Sequence, residues 1–139
     1  AEADLRAVLA LPEEFHSRTQ LPESVYPRAS APHAWLFPRM AALVHHGGAG
    51  TTAAGLRAGV PALLTPLAID QVFWGERLAS LGAGPQPLPQ RHLSVGRLAQ
   101  ALERLVYDTE MRRASHRLGE AIRAEKGVET AVAQITAVL

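Results

Sequence analysis

The chain has 139 residues, a formal net charge of +1 and an apolar content of 47%, which indicate one globular domain and exclude a disordered segment. It contains no cysteine, so neither a disulfide framework nor a thiolate metal site is expected. The near-neutral charge gives no indication of nucleic acid binding, and no apolar run approaches the roughly 20 residues of a membrane span. A cytoplasmic setting is therefore expected.

Short apolar segments predict the strands of this chain, and longer amphipathic segments predict its helices. Strands are predicted over residues 5–11 (with a helix end as the alternative), 24–28, 41–45 and 61–65. Segment 12–22 is polar and is predicted to be a loop, and Pro27 weakens the second strand unless it lies at an edge. Helices are predicted over residues 32–40 (ended by Pro38), 51–57, 70–81, 95–106, 110–123 and 129–139. This alternation predicts an α/β domain with a parallel sheet covered by helices on both sides.

The turn after the third strand has the sequence His-His-Gly-Gly-Ala-Gly-Thr-Thr at residues 45–52. Glycines permit positive φ and the close approach of a ligand, and the N–H groups of a helix N-terminus suit a phosphate. The turn lacks the Walker and the dinucleotide-binding glycine patterns. We interpret it as a phosphate site, and the alternative is a tight turn whose threonines, Thr51 and Thr52, cap the helix.

Two histidines stand side by side at the start of this turn. Adjacent residues of a strand point to opposite faces, so His46, which is nearer the turn, is expected to face the ligand while His45 serves the core. No third histidine or acidic ligand follows closely, and no metal site is predicted.

Asp70 and Gln71 open the helix that follows the fourth strand. The carboxyl ends of parallel strands meet at one edge of a sheet, so this turn and the glycine turn are expected to open onto the same crevice. A carboxylate and an amide offer acceptors and donors for the vicinal hydroxyls of a sugar. The alternative role for Asp70 is a helix N-cap, and Trp35 is either a platform for a base or a core residue.

In combination, these segments resemble the C-terminal, donor-binding domain of family 1 glycosyltransferases with the GT-B architecture, especially the bacterial antibiotic and sterol-type enzymes. The resemblance covers residues 20–139. It rests on matching residues in the same order and spacing at 31–38, 45–52, 59–61, Pro66, Asp70, Gln71, Trp74, Leu81 and Gly82. It implies that residues 1–139 form a Rossmann-like nucleotide-sugar domain.

The resemblance implies a UDP- or dTDP-hexose as donor, in an inverting, metal-independent transfer without a cofactor. The implied contacts are Ser30, Pro32 and His33 with the base, His46, Gly48, Gly50 and Thr51 with the diphosphate, and Asp70 and Gln71 with the sugar hydroxyls. Plant relatives carry a tryptophan at the position of Ser30 and a ribose-binding glutamate at that of Ala54. Neither is present here, which leaves the choice between UDP and dTDP open.

The resemblance further implies a two-domain enzyme of which this chain is one part. The acceptor, a natural product or sterol-like lipid, and the general base are expected on an N-terminal domain outside the chain. No catalytic residue is therefore assigned here, and the chain alone is expected to be inactive. One alternative is a non-catalytic module that associates, with itself or another chain, through an exposed sheet edge. Another is a GT-B epimerase of UDP-sugars, which the glycine turn and the Asp70-Gln71 pair disfavour.

Overall fold

A computed structural model describes residues 5–16 and 20–138 of the chain. Within them, four strands are present: β1 (Ala7–Ala10), β2 (Val25–Arg28), β3 (Leu43–His45) and β4 (Ala62–Leu64). The helices are α1 (Glu13–His16), α2 (His33–Leu36), α3 (Ala49–Ala58), α4 (Ile69–Ser80), α5 (Val95–Tyr107), α6 (Thr109–Ala124) and α7 (Gly127–Thr136). Among these described helices, none has the length and apolar character needed to cross a membrane.

The strands pair in parallel, β1 with β2 and β3 with β4. On the other side of β4, the N–H of Ala62 donates to the carbonyl of Ala83 at 3.1 Å, and the N–H of Leu88 donates to that of Leu64 at 2.9 Å. The chain that follows α4 therefore extends this half of the structure. The α/β class with parallel strands between helices is confirmed, and hydrogen bonds join the described strands as two separate pairs.

Pro27 lies inside β2, opposite Leu9 of β1. The N–H groups of Ala7 and Leu11 donate to the carbonyls of Ser24 and Arg28. The backbone of every second residue of this segment, 24, 26 and 28, therefore faces β1. Pro27 lies between two of these residues and faces away from β1, where its missing N–H leaves no ladder bond unmade. This is the edge position that tolerates proline in a strand.

Two predictions for segments before β3 are wrong. Segment 12–22 is not entirely a loop, because it contains α1, although residues 17–19 lie outside the described part. The helix predicted over 32–40 is α2 followed by a turn of 3-10 helix, Phe37–Arg39. Pro38 lies within that turn rather than ending the helix, since the first residues of a helix have no carbonyl to which to donate. Of the C-terminal segment predicted to be helical, Leu139 lies outside the described residues.

The core is built around β4, whose Leu63 and Leu64 are almost completely buried. Successive residues of a strand face opposite sides. Leu63 accordingly packs with Leu105 of α5 and Met111 of α6. Leu64 belongs to the other cluster of buried residues, with Phe37, Leu43, Val60, Ala62, Leu78 and Ala83. Both faces of β4 are covered, which explains its uninterrupted apolar sequence.

Helix α6 crosses the end of α3 at a contact between two glycines. Gly59 ends α3 with φ of 72°. A Cβ added to Gly119 of α6 would lie 2.7 Å from Cα and 2.9 Å from N of Gly59. The backbones therefore meet with no room for a side chain at residue 119.

We expect Gly119→Ala to lower the free energy of unfolding by about 1–3 kcal/mol, because the added methyl forces the two helices apart. Gly96→Ala in α5 is the matched control, since a Cβ there meets no atom within 4 Å. It should leave the stability unchanged or raise it by up to about 1 kcal/mol. Urea denaturation of the two variants measures the difference, and equal effects would contradict the close contact.

Candidate functional site

The turn between β3 and α3 is held against the first turn of α4 by Gly47. This residue has φ of 98°, a conformation that residues with a side chain rarely adopt. A Cβ at residue 47 would also lie 2.9 Å from Cδ2 of Leu64 and 3.2 Å from the carbonyl oxygen of Gln71. Conformation and space therefore both require glycine here. The two turns that were expected at one edge of the sheet are in direct contact.

Helix α3 begins without a side-chain cap. It starts at Ala49, two residues earlier than predicted, so the alternative in which the threonines cap it is wrong. The hydroxyl of Thr52 instead donates to the carbonyl of Gly48 at 3.0 Å. The N–H groups of Ala49, Gly50 and Thr51 belong to the first turn, where an α-helix supplies no acceptor. A Cβ on Gly50 would meet no atom within 4 Å, so open space lies beside these donors.

The N-termini of two other helices are closed by side chains. The hydroxyl of Ser94 accepts from the N–H of Arg97 in α5, and the carboxylate of Asp108 accepts from the N–H of Met111 in α6. The open N-terminus of α3 thus combines unused N–H donors, the positive end of the helix dipole and a glycine beside which a ligand can approach the backbone. That combination suits an anion such as a phosphate.

His46 is exposed and lies over this helix N-terminus. A Cβ on Gly48 would be 2.6 Å from Nε2 of His46, so the imidazole occupies the space that a side chain at residue 48 would need. The ring therefore lies within reach of an anion at the start of α3. The role of His46 in binding stays a prediction.

His45 is half-buried, and its ring lies 6.3 Å from that of His46 with the two rings nearly perpendicular. Its Nδ1 accepts a hydrogen bond from the N–H of Gly47 at 3.1 Å, whereas its buried Nε2 has no partner among the described atoms. Burial, followed by the charges of nearby His46 and His33, lowers the pKa of His45 from 6.5 to about 4. The inward histidine is therefore neutral at physiological pH. The burial of His45 agrees with the role in the core that was predicted for it.

Asp70 and Gln71 lie in the first turn of α4, but neither of them is its N-cap. The N-cap of α4 is Ala68, so the alternative in which Asp70 is the N-cap is wrong, because the helix begins one residue earlier than predicted. Oε1 of Gln71 accepts from the N–H of Leu67 at 2.8 Å and from that of Ala68 at 3.2 Å. The carboxylate of Asp70 is exposed, and the amide nitrogen of Gln71 is left to donate.

The capping role of Gln71 was not predicted from the sequence. The feature that indicates it is a glutamine at the third helical position, which reaches back to the backbone before the helix. It becomes visible only when the helix start is placed at Ile69.

The segment assigned to the base lies beside the histidines. Ser30 is exposed before α2, Pro32 is the N-cap of α2, and His33 stacks on Phe37 with ring centroids 4.3 Å apart. His33 is close enough to affect the pKa of His45. The structure thus brings the three groups of predicted site residues to neighbouring elements.

Trp35 is not a core residue, because 57% of its surface is exposed. The guanidinium of Arg39 lies 4.5 Å from the centre of its ring, and the same side chain donates to the carbonyl of Trp35. One face of the indole is therefore already occupied.

In the part of the chain that the structure describes, no group of three or more His, Asp or Glu side chains could hold a metal ion.

Comparison with known proteins gives a consistent result. Residues 1–138 match the family model of the erythromycin biosynthesis protein CIII-like C-terminal domain. Sterol 3-beta-glucosyltransferase UGT80B1 of Arabidopsis thaliana is 44% identical over 82% of this chain and 18% of its own length. O-mycaminosyltylonolide 6-deoxyallosyltransferase of Streptomyces fradiae is 47% identical over 73% of this chain and 24% of its own length.

Among solved structures, the glycosyltransferase VinC in complex with DTDP is similar to this chain with a TM-score of 0.80 and 31% identity. The match covers 89% of this chain and 31% of VinC. The chain therefore spans about a fifth of the curated relatives named above and about a third of this structural neighbour.

The burial of His45 predicts how stability depends on pH. Its pKa is about 4 when folded, below the 6.5 of an exposed histidine, so the unfolded chain binds more protons between these values. We expect the free energy of unfolding to fall as the pH is lowered from 6.5 to about 4. His45→Asn, which cannot titrate, should show a shallower fall in urea denaturation across this range. The same slope in both proteins would contradict the assignment.

Proposed function

Because the chain belongs to the family of erythromycin biosynthesis protein CIII-like C-terminal domains, we propose that it is the donor-binding domain of a glycosyltransferase and binds a UDP- or dTDP-hexose. One observation carries the proposal: Gly47 holds the open N-terminus of α3 against the first turn of α4. A proposed anion site and a pair of polar side chains suited to a sugar therefore lie next to each other. The DTDP bound to VinC supports the nucleotide class.

The start of α3 is proposed to bind the diphosphate. The backbone N–H groups of Gly50 and Thr51, and of Gly48 just before the helix, are candidates for its oxygens, and the ring of His46 lies over Gly48. When the sugar leaves, the nucleoside diphosphate gains negative charge. Donors that are already fixed in place stabilise that charge without having to reorganise.

Asp70 and Gln71 are proposed to hold the sugar through complementary hydrogen bonds. The exposed carboxylate of Asp70 accepts from hydroxyls. The Oε1 of Gln71 is occupied by the backbone of Leu67 and Ala68, so its amide nitrogen can only donate, to a hydroxyl or ring oxygen. A hydrogen-bond acceptor and a hydrogen-bond donor side by side fix which face of the sugar meets the substrate that receives it. Ser30, Pro32 and His33 are proposed to contact the base.

The complete reaction that we propose is an inverting, metal-independent transfer of the hexose to a hydroxyl of a natural product or sterol-like lipid. The names of the two curated relatives contain a sterol and O-mycaminosyltylonolide, which supports this acceptor class. Both are several times longer than the matched segment, and we assign the acceptor site and the general base to the part of the enzyme beyond this chain. The names of these relatives also favour a transferase over a UDP-sugar epimerase.

Calorimetric titration with dTDP and UDP tests the diphosphate site. We expect binding to the full chain, and we expect His46→Ala to weaken it about tenfold because a hydrogen bond to a charged oxygen is lost. His116→Ala is the matched control, since His116 lies on α6 beside Gly59, at the opposite end of α3. It should bind as the wild type does.

Two outcomes would contradict this proposal. One is the absence of binding at millimolar UDP-, dTDP- and GDP-sugars. The other is a stable dimer in sedimentation that ignores these ligands. The dimer would favour the association alternative, for which the apolar strand β1, with Val8 and Leu9 each 39% exposed, offers an edge.

Asp70→Asn tests the sugar contact. Loss of the charged acceptor should lower the affinity for the nucleotide sugar about tenfold, while the affinity for the nucleoside diphosphate alone should stay the same or rise slightly. The ratio of the two dissociation constants, measured on one protein preparation, isolates the sugar. An equal loss for both ligands would contradict the role of Asp70.

A further inference from the structure

We propose that His45 is a positioning residue of the diphosphate site, because its Nδ1 holds the N–H of Gly47 and so fixes the turn that leads into α3. This inference rests on the proposed function for the identity of the ligand. The hydrogen bond itself does not depend on it. The inference assigns the inward histidine a defined task rather than a general place in the core.

The hydrogen bond from Gly47 to His45 closes a small ring. It joins the side chain of one residue to the N–H two residues later at 3.1 Å, which is the arrangement of an Asx turn with an imidazole in place of the carboxamide. The ring runs through the backbone of His45 and His46 and ends at the nitrogen of Gly47, so it restricts ψ of His45 and both dihedral angles of His46. It thereby orients the peptide group from which Gly47 continues with φ of 98°.

The position of Gly47 determines what lies on either side of it. The side of Gly47 on which another residue would carry its Cβ lies against Leu64 and the backbone of Gln71. The next residue, Gly48, is the N-cap of α3. A change in this turn would therefore alter the direction of the free N–H groups of α3. It would also change their distance from the first turn of α4. His45 acts on the ligand through this backbone and not by contact.

The other nitrogen of the ring provides a second, independent observation. Nε2 is buried and has no partner among the described atoms, and a buried polar atom without a partner destabilises a fold. An apolar side chain would avoid that cost at this position. The presence of an imidazole therefore requires an explanation, and the bond made by Nδ1 supplies one.

The protonation state agrees with this geometry. A nitrogen that accepts from a backbone N–H carries no proton, so the ring has its proton on Nε2. Burial and the neighbouring His46 and His33 lower the pKa of His45 to about 4. The acceptor is therefore available throughout the physiological range.

The first experiment needs no ligand. Nitrogen-15 NMR of the imidazole in the wild-type chain at pH 7 should show a proton on Nε2 and none on Nδ1 of His45. The amide of Gly47 should exchange slowly with solvent. A proton on Nδ1, or fast exchange of the Gly47 amide, would overturn the inference whatever the chain binds.

The second experiment compares three variants in dTDP titration. His45→Asn retains an acceptor at the position of Nδ1 and should keep the affinity within about twofold, whereas His45→Leu removes it and should weaken binding about fivefold, as expected for one neutral hydrogen bond. His45→Gln, which places its amide nearer the position of Nε2, should behave like His45→Leu. Failure of His45→Asn to retain binding, or wild-type binding by His45→Leu, would overturn the inference.

The two proposals fail separately. Absence of both dTDP and UDP binding by the wild type contradicts the proposed function, and the NMR measurement still decides the hydrogen bond of His45. Thermal unfolding of each variant identifies a general loss of structure. If His45→Leu does not fold, the comparison of His45→Asn with His45→Gln and the wild-type NMR result decide the matter.

Discussion

The contact between Gly47 and the first turn of α4 is the constraint on which the candidate site depends. β3 and β4 are parallel neighbours, so the turns that follow them are separated by about the 4.8 Å spacing of adjacent strands. A Cβ at residue 47 would lie within 3.3 Å of Leu64 and Gln71. Glycine is therefore the residue that lets the two turns meet. Their contact rests on Leu64, which lies in the buried core.

The N-termini of the helices show how the chain distributes its hydrogen bonds. In α4, Gln71 accepts from the N–H groups of Leu67 and Ala68, just before the helix. Ser94 and Asp108 cap α5 and α6. Each such cap stabilises a helix by about 1 kcal/mol. Helix α3 has no side-chain cap, and its first N–H groups are left to solvent. A bound anion would provide the missing acceptors and would stabilise the start of α3. The free energy gained in this way would contribute to the affinity for the anion.

Much of the framework could be predicted from local patterns. The apolar runs located β3 and β4, and apolar periodicity placed α4, α5 and α6 within a residue or two at each end. The start of α3 could not be predicted, because the usual preference for a threonine cap yields to the contact of Gly47 with α4. The exposure of Trp35 depends on stacking with Arg39, and apolar sequence alone suggested a buried residue.

The residue types that form the candidate site could be predicted from the sequence, but the hydrogen bonds of their individual atoms could not. Glycines, histidines and the Asp70-Gln71 pair indicate an anion and a polyol from residue type and order. The sequence could not show that Oε1 of Gln71 is occupied, because that bond follows from a helix start one residue earlier than the pattern indicates. The role of each side-chain atom depends on where the backbone lies. The local sequence pattern defines the helix or strand, whereas tertiary contacts set its backbone position.

The two adjacent histidines show why such a distinction matters for binding. The side chains are chemically identical, but their surroundings differ, because His45 ends β3 and is half-buried whereas His46 follows the strand and is exposed. His45 is held inward and neutral with its acceptor on Gly47, so it has no reason to change partners when a ligand arrives. His46 lies in solvent over Gly48 and can turn toward an anion. Only the outer ring then has to adjust, and a site whose backbone donors are already fixed loses little free energy to reorganisation when the negative charge of the leaving group develops.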